Sequence, residues 1–184
     1  GKVDGEGLMV SSAFGTPDPP VGLNDLASGA ITARVDSVVV TAPGVRLVSM
    51  GGAGGGSVPG SGTSNEFTFT LSQFSLLTWK WQTQYQLTVN ATAGGSATAS
   101  LGPWINPGSN VTVTASANPG YIFTGWSGDS LSSLPVLTFQ MVRPVTLTAN
   151  FAADSDNDKL PDSWEIQYWN DLAQLDTDDP DHDG

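Results

Sequence analysis

The sequence predicts an all-β protein, built as two small tandem antiparallel β domains of sandwich-like design and closed by an Asp-rich loop with a short helix. Three observations carry that expectation. Apolar and polar residues alternate along many short runs, 22 glycines and 12 prolines punctuate those runs, and one part of the chain repeats another. Long Ala/Leu/Glu/Lys stretches of helical character are missing.

The alternation is clearest at Val111/Val113/Ala115, Tyr121/Phe123, Leu137/Phe139/Met141 and Val145/Leu147/Ala149/Phe151. A period of two puts one face of each run into a core. Turn signals at Ala93-Gly-Gly, Asn106-Pro-Gly, Asn118-Pro-Gly and Ser127-Gly-Asp separate these runs, as short antiparallel strands require. Ile31/Ala33/Val35, Phe67/Phe69/Leu71 and Leu77/Trp79/Trp81 repeat the pattern earlier in the chain. Each copy is expected to form five or six strands about a limited core.

Two blocks carry the internal match. Ala42-Pro-Gly-Val-Arg-Leu-Val-Ser-Met50-Gly aligns with Asn118-Pro-Gly-Tyr-Ile-Phe-Thr-Gly-Trp126-Ser, which sets Met50 against Trp126. The run from Phe69 to Trp81 aligns with the run from Phe139 to Phe151. The offset falls from 76 to 70 because the first copy carries the longer loop, Gly51 to Glu66. Leu8-Met-Val10 can also be laid on Leu87-Thr-Val89. The resulting division is residues 1–82, 83–152 and an acid-rich remainder, 153–184.

Charge marks that last boundary. Of 18 acidic residues, 11 lie from Asp154 onwards with a single base, while the rest of the chain is nearly balanced. A net charge of −12 with only 6 Lys and Arg excludes a general nucleic-acid binder, which needs clustered bases for phosphate. Cysteine is absent, so disulfides, thiolate metal sites and cysteine nucleophiles are excluded. No apolar run reaches the roughly 18 residues of a membrane span. Richness in Thr, Ser and Gly leans towards an extracellular or cell-surface protein, and the chain reads as a fragment of a longer one.

The run Asn118-Pro-Gly-Tyr-Ile-Phe-Thr-Gly-Trp-Ser-Gly-Asp129 resembles the divergent internalin-type B-repeat of large bacterial surface proteins. The resemblance spans roughly residues 85–151, and the first copy departs from it at Val45 and Met50. It implies a spacer or adhesive module without catalysis. Trp79, Trp81 and Trp126 are expected as core or inter-repeat plugs. Trp104 falls in a predicted loop, where an exposed aromatic would suit stacking on a surface glycan.

Asp154-Ser-Asp156-Asn-Asp158-Lys-Leu160-Pro-Asp162-Ser-Trp-Glu165 places oxygen-bearing side chains at positions 1, 3, 5, 9 and 12 of a twelve-residue window. That is the spacing of an EF-hand-type calcium loop, because calcium takes about six to eight hard oxygen ligands and alternate residues of a curling loop point inward. Asp154, Asp156 and Asp158 are candidate ligands, with Leu160 through its carbonyl, Asp162 directly or through water, and Glu165 by both carboxylate oxygens. Lys159 stands where such loops carry glycine, so weakened binding is expected. Pro161, Asp162 and the stripe Trp164, Tyr168, Leu172 predict a helix over 161–172. Asp179-Pro-Asp181-His-Asp183-Gly184 begins a second loop of the same kind. Together these residues resemble the thrombospondin type 3-like repeats of bacterial surface proteins, which implies a calcium-stiffened linker. The competing reading is a solvated acidic linker.

Enzyme chemistry finds little purchase. The sole histidine, His182, lies in the acidic tail, away from any nucleophile–base arrangement. Gly125-Trp-Ser-Gly-Asp129 is not a nucleophile elbow, and Gly51-Gly-Ala-Gly-Gly-Gly-Ser57 lacks the Lys and the helix of a phosphate loop and reads as a hairpin loop. Glu66 and Asp129 show no evident carboxylate partner. The expected function is therefore a non-catalytic structural or assembly segment. Calcium and the neighbouring modules of the same protein are its expected partners, and edge-strand self-association into fibres is a further possibility. A carbohydrate-binding adhesin, or an accessory region of a large secreted enzyme, is the alternative.

Overall fold

The computed structural model describes residues 7–170 and 172. Within them the chain is all-β, with thirteen strands and one helix, and it divides into two compact units, Gly1–Gln84 and Tyr85–Gly184. The strands are β1 (Leu8–Ser11), β2 (Gly22–Asn24), β3 (Gly29–Arg34), β4 (Val38–Ala42), β5 (Val45–Gly55), β6 (Glu66–Leu71), β7 (Ser75–Ala91), β8 (Gly95–Ala99), β9 (Trp104–Ile105), β10 (Asn110–Ala117), β11 (Tyr121–Gly128), β12 (Val136–Gln140) and β13 (Val145–Ala153). The helix, α1, is Asp162–Tyr168.

Each unit is two sheets facing each other across its own core. In the first unit β2, β1, the start of β7, β5 and β4 form one sheet, and β3 with β6 forms the other. In the second unit β11, β13 and the end of β7 form one sheet with β9 paired to β7, and β12, β10 and β8 form the other. The core of the first holds Leu8, Val10, Ala33, Leu71, Leu77 and Trp79; that of the second holds Leu87, Val111, Val113, Trp126, Met141 and Leu147. These are the residues that the period of two turns inward.

Antiparallel pairing dominates, with one departure in each unit. Strand β1 lies parallel to β7, and β7 lies parallel to β13. The first and last strands of a unit meet only after the chain has wound through both sheets, and that long return permits parallel pairing. The registers coincide: Leu8 and Val10 oppose Ser75 and Leu77, while Leu87 and Val89 oppose Val145 and Leu147. The second sheets match as well. Thr32 opposes Thr68 and Thr112 opposes Thr138, and in each pair the two hydroxyls are 2.9 Å apart.

The structure moves one equivalence of the sequence alignment. A Cβ on Gly54 would lie 2.0 Å from the Leu76 carbonyl oxygen, and one on Gly128 would lie 2.4 Å from that of Thr146. Leu76 and Thr146 correspond by the 70-residue offset, so Gly54 and Gly128 occupy the same place and both must lack a side chain. Two residues earlier stand Gly52 and Trp126. Trp126 therefore answers to Gly52, and Met50, set against it in the alignment, is 48% exposed. The slip arises because β5 runs eleven residues where β11 runs eight, so an equivalence set at the Pro-Gly turn is two residues out by the far end of the strand. Trp126 opposes Ala149, whose counterpart by the same offset is Trp79. By this correspondence the large residue has changed strands: the pair Trp126 and Ala149 of the second unit answers to Gly52 and Trp79 in the first.

The glycine run after Met50 is thus strand for most of its length, since β5 continues to Gly55. A Cβ on Gly52 would meet Leu77 and Phe67 at 2.8 Å, so small size there serves packing. Beyond Gly55 the chain folds back on its own edge, with Gly54 N–H donating to the Pro59 carbonyl and Gly62 N–H to that of Gly52. Ser57 is tied to Ser72 and Ser75, and Val58 drops into the core, 4% exposed, a burial that contributes about 1.5 kcal/mol. In the second unit the corresponding loop caps β11 through Trp126 N–H to the Ser132 carbonyl but leaves Leu131 and Leu134 exposed. A cleft of about 290 Å³ opens there, lined by Phe139, Val142, Val145 and Leu147 among others. Val142, Val145 and Leu147 are the counterparts of Ser72, Ser75 and Leu77, beside which Val58 sits.

Candidate metal centre

The acidic loop starts where β13 ends, and the sheet holds its first residue. Tyr121 opposes Ala153, and the Asp154 N–H donates to the Gly120 carbonyl at 3.0 Å, adding one more rung to the β11–β13 ladder. Gly120 sits in the Asn118-Pro119-Gly120 turn at φ 77°, a conformation that glycine adopts without strain. Asp154 is consequently 4% exposed, a rare degree of burial for a carboxylate.

From there the loop curls about the Asp154 side chain, which accepts from the N–H of Asp158 at 3.2 Å and of Lys159 at 3.3 Å. Asp158 in turn accepts from the Leu160 N–H at 2.7 Å. Asn157 and Lys159 both take left-handed backbone, at φ 62° and 82°. Lys159 therefore adopts the conformation usually given to glycine, at a cost of about 1 kcal/mol. Asp154, Asp156 and Asp158 each bring a carboxylate oxygen into one group whose members lie within 4.8 Å of one another. Three carboxylates so close repel strongly unless a cation lies among them. This cluster can hold a metal ion.

The helix supplies a fourth carboxylate. Pro161 is extended at its N-cap, and its carbonyl accepts from the N–H of Trp164 and Glu165. α1 stops at Tyr168, short of the expected 172, because Asn170 turns left-handed at φ 58° and its N–H closes onto Glu165 and Ile166 carbonyls. The expected apolar stripe is not what α1 buries. Trp164 is 37% and Tyr168 61% exposed, with the Trp164 ring packed on Tyr168 and Trp169 at centroid distances of 4.8 and 4.6 Å. The buried residue is Glu165, at 0% exposure.

Neither Glu165 oxygen has a hydrogen-bond partner, and neither does Asp158 Oδ2; these are three of the four such buried atoms among the described residues. A buried carboxylate without donors is costly enough that it normally finds a partner. The Glu165 pKa is pushed above the ordinary glutamate value, first by burial and then by the negative charges of Asp156, Asp158, Asp162 and Asp154. Orphaned acceptors facing like charges mark a place shaped for a cation. The all-oxygen donor set suits a hard divalent ion.

Asp162 has a different task. Its two oxygens accept from the Ser155 N–H at 2.7 Å and the Ser155 hydroxyl at 2.6 Å, and these bonds hold its pKa below the ordinary value. It locks the start of α1 to the start of the loop, a role that nothing in the spacing reveals. The anchor at Gly120 was equally hidden, although the repeated Pro-Gly turn that supplies it was visible. Leu160 is half-buried at the bend. Asp179, Asp181, His182 and Asp183 lie outside the described residues.

Elsewhere the structure reassigns two candidates. Trp104 is not in a loop: it is half-buried in β9, opposite Gln86. Asp129 accepts from the Thr146 N–H and from the Arg143 guanidinium, which lower its pKa and make it a brace between the β11–β12 loop and β13. Glu66 opens β6.

Residues 85–155 match the family model described as the divergent InlB B-repeat domain, which supports the internalin-type B-repeat resemblance of the second unit. The match extends through Asp154 and Ser155, the first residues of the acidic loop. No curated protein and no solved structure matches the chain. Among the described residues no helix is long and apolar enough to cross a membrane.

Proposed function

We propose that this chain is a non-catalytic structural segment of a secreted or cell-surface bacterial protein, in which the β units act as spacers and calcium at the Asp154–Glu165 loop stiffens the connection to the next module. The B-repeat match supports the setting, since such repeats occur in bacterial surface proteins and theirs is not an enzyme family. One observation carries the metal reading: Glu165 is fully buried on a short helix with both oxygens unpartnered and four aspartates around it. The ligands would be Asp154, Asp156, Asp158 and Glu165, with the Leu160 carbonyl and water completing the shell. Asp162, already bound to Ser155, supports the loop from outside.

The competing reading, a solvated acidic linker, predicts exposed and hydrated carboxylates; the burial of Asp154 and Glu165 argues against it. Calorimetric titration of the chelator-treated chain with calcium should release or absorb heat at one site within the described loop, and calcium should raise the melting temperature. No heat and no shift at about millimolar calcium, the weak end of extracellular sites, would sink the proposal.

A further inference from the structure

The candidate site is not hung on the end of the second unit by a free tether. Its first residue is bonded to a corner where the two sheets exchange strands. Asp154 N–H donates to Gly120 in the turn that carries the chain from β10 in one sheet to β11 in the other. Asn118, in the same turn, donates its N–H at 2.8 Å to Gly94, in the turn that carries the chain from β7 to β8. Phe151 N–H donates to the Thr92 hydroxyl at 2.9 Å. Side chains close the same corner, because a Cβ on Gly94 would lie 2.1 Å from the Tyr121 ring and one on Gly95 would lie 2.4 Å from that of Phe151.

We infer that a divalent cation in this loop clamps the sheet-crossing corner of the B-repeat unit, through Asp154 and Gly120, in addition to stiffening the chain beyond it. The inference rests on the metal reading above. Asp154 serves both structures at once: its carboxylate gathers the loop and its N–H closes the ladder. An ion that fixes the carboxylate restrains that N–H, and opening the corner must then release the ion. The free energy of binding is thereby added to the local stability of the turns at 92–95 and 118–120.

Hydrogen exchange on the full chain, with calcium chloride as the probe, tests this. The amides of Asn118, Tyr121 and Asp154 report the corner, and those of Gly108 and Met141, bonded at the opposite end of β10 and β12, serve as reference. With full coupling, protection of an amide that exchanges by opening the corner grows about a hundredfold at a calcium concentration a hundred times Kd. The gain at the corner should be at least that at the reference amides, and Asp156→Asn, which removes a ligand without touching the corner, should abolish most of it. Calcium binding by calorimetry with unchanged exchange at Asn118, Tyr121 and Asp154 would overturn the clamp and leave the metal site standing. Absence of both heat and protection would overturn the two together.

Discussion

Exchanging the large and small residues of one strand pair tests whether the two units share a single core plan. Trp126 is 3% exposed, opposes Ala149, and donates its ring N–H to the Leu134 carbonyl at 3.1 Å. Trp126→Gly copies the first unit at that position. Removing so large a buried side chain costs about 3–5 kcal/mol, and glycine in a strand adds about 0.5–1 kcal/mol. Ala149→Trp alone, against a fully buried alanine, overpacks the site by about 1–3 kcal/mol or more. Together the two substitutions rebuild the arrangement of Gly52 and Trp79. The double variant should therefore be more stable than the sum of the singles by about 2 kcal/mol. Recovery should stop short of wild type, because a ring N–H at this place is an orphan, as that of Trp79 is in the first unit. Urea denaturation followed by circular dichroism gives the energies, and exchange at β11 and β13 amides assigns the transition. Additivity within about 0.5 kcal/mol would refute the shared plan.

Two further variants address the metal loop. Glu165→Gln should weaken calcium binding by at least about tenfold, the lower bound for losing even an indirect partner of a metal, read by calorimetry. In the cation-free protein its effect on pH dependence is opposite in kind. The folded loop raises the Glu165 pKa, so the stability linked to it is complete below the ordinary value of 4.5 and is lost as pH rises through the higher folded value. Exchange at the Trp169 and Asn170 amides, which donate to α1 carbonyls, should accelerate beyond its intrinsic base dependence over that rise in wild type. It should not do so in Glu165→Gln, and calcium should suppress it in wild type. Lys159→Gly relieves a left-handed lysine at φ 82° and should tighten calcium binding by up to about fivefold, the equivalent of about 1 kcal/mol. Unchanged or weaker affinity would place the strain elsewhere.

The parts of the fold that were legible in the sequence are those set by a period of two. Val111, Val113, Ala33 and Leu71 point inward because their neighbours are polar, and the offset shared by Phe69–Trp81 and Phe139–Phe151 survives as a shared register. Parallel closure of each unit left no local trace, since it depends on strands that meet only after the whole unit has folded. The motif sets Met50 against Trp126 in error because β5 is longer than β11, eleven residues against eight, a difference that the motif at the start of each strand does not register. Glycines of β5 resemble a loop in the sequence, although the crowding of Phe67 and Leu77 demands Gly52 and the Leu76 carbonyl demands Gly54. In the metal loop, carboxylate spacing named the residues that gather, Asp154, Asp156 and Asp158. It could not show that Asp162 is spoken for by Ser155, nor that Glu165 is the buried face of α1 while the aromatic stripe stays outside. Helix periodicity assigns apolar residues to the core by default, and the burial of the Glu165 carboxylate overrides it here.

The loops folded back along β5 and β11 have a bearing on how such units behave in series. Each satisfies backbone groups on a stretch of strand edge, through Pro59 and Gly62 beyond the reach of β4 in one unit and through Ser132 in the other. A border already occupied offers fewer free donors and acceptors to a neighbour. Tandem copies of one sandwich are held at high local concentration by their own chain, a setting in which open borders would zip together into mispaired sheets. Here each copy brings its own hem.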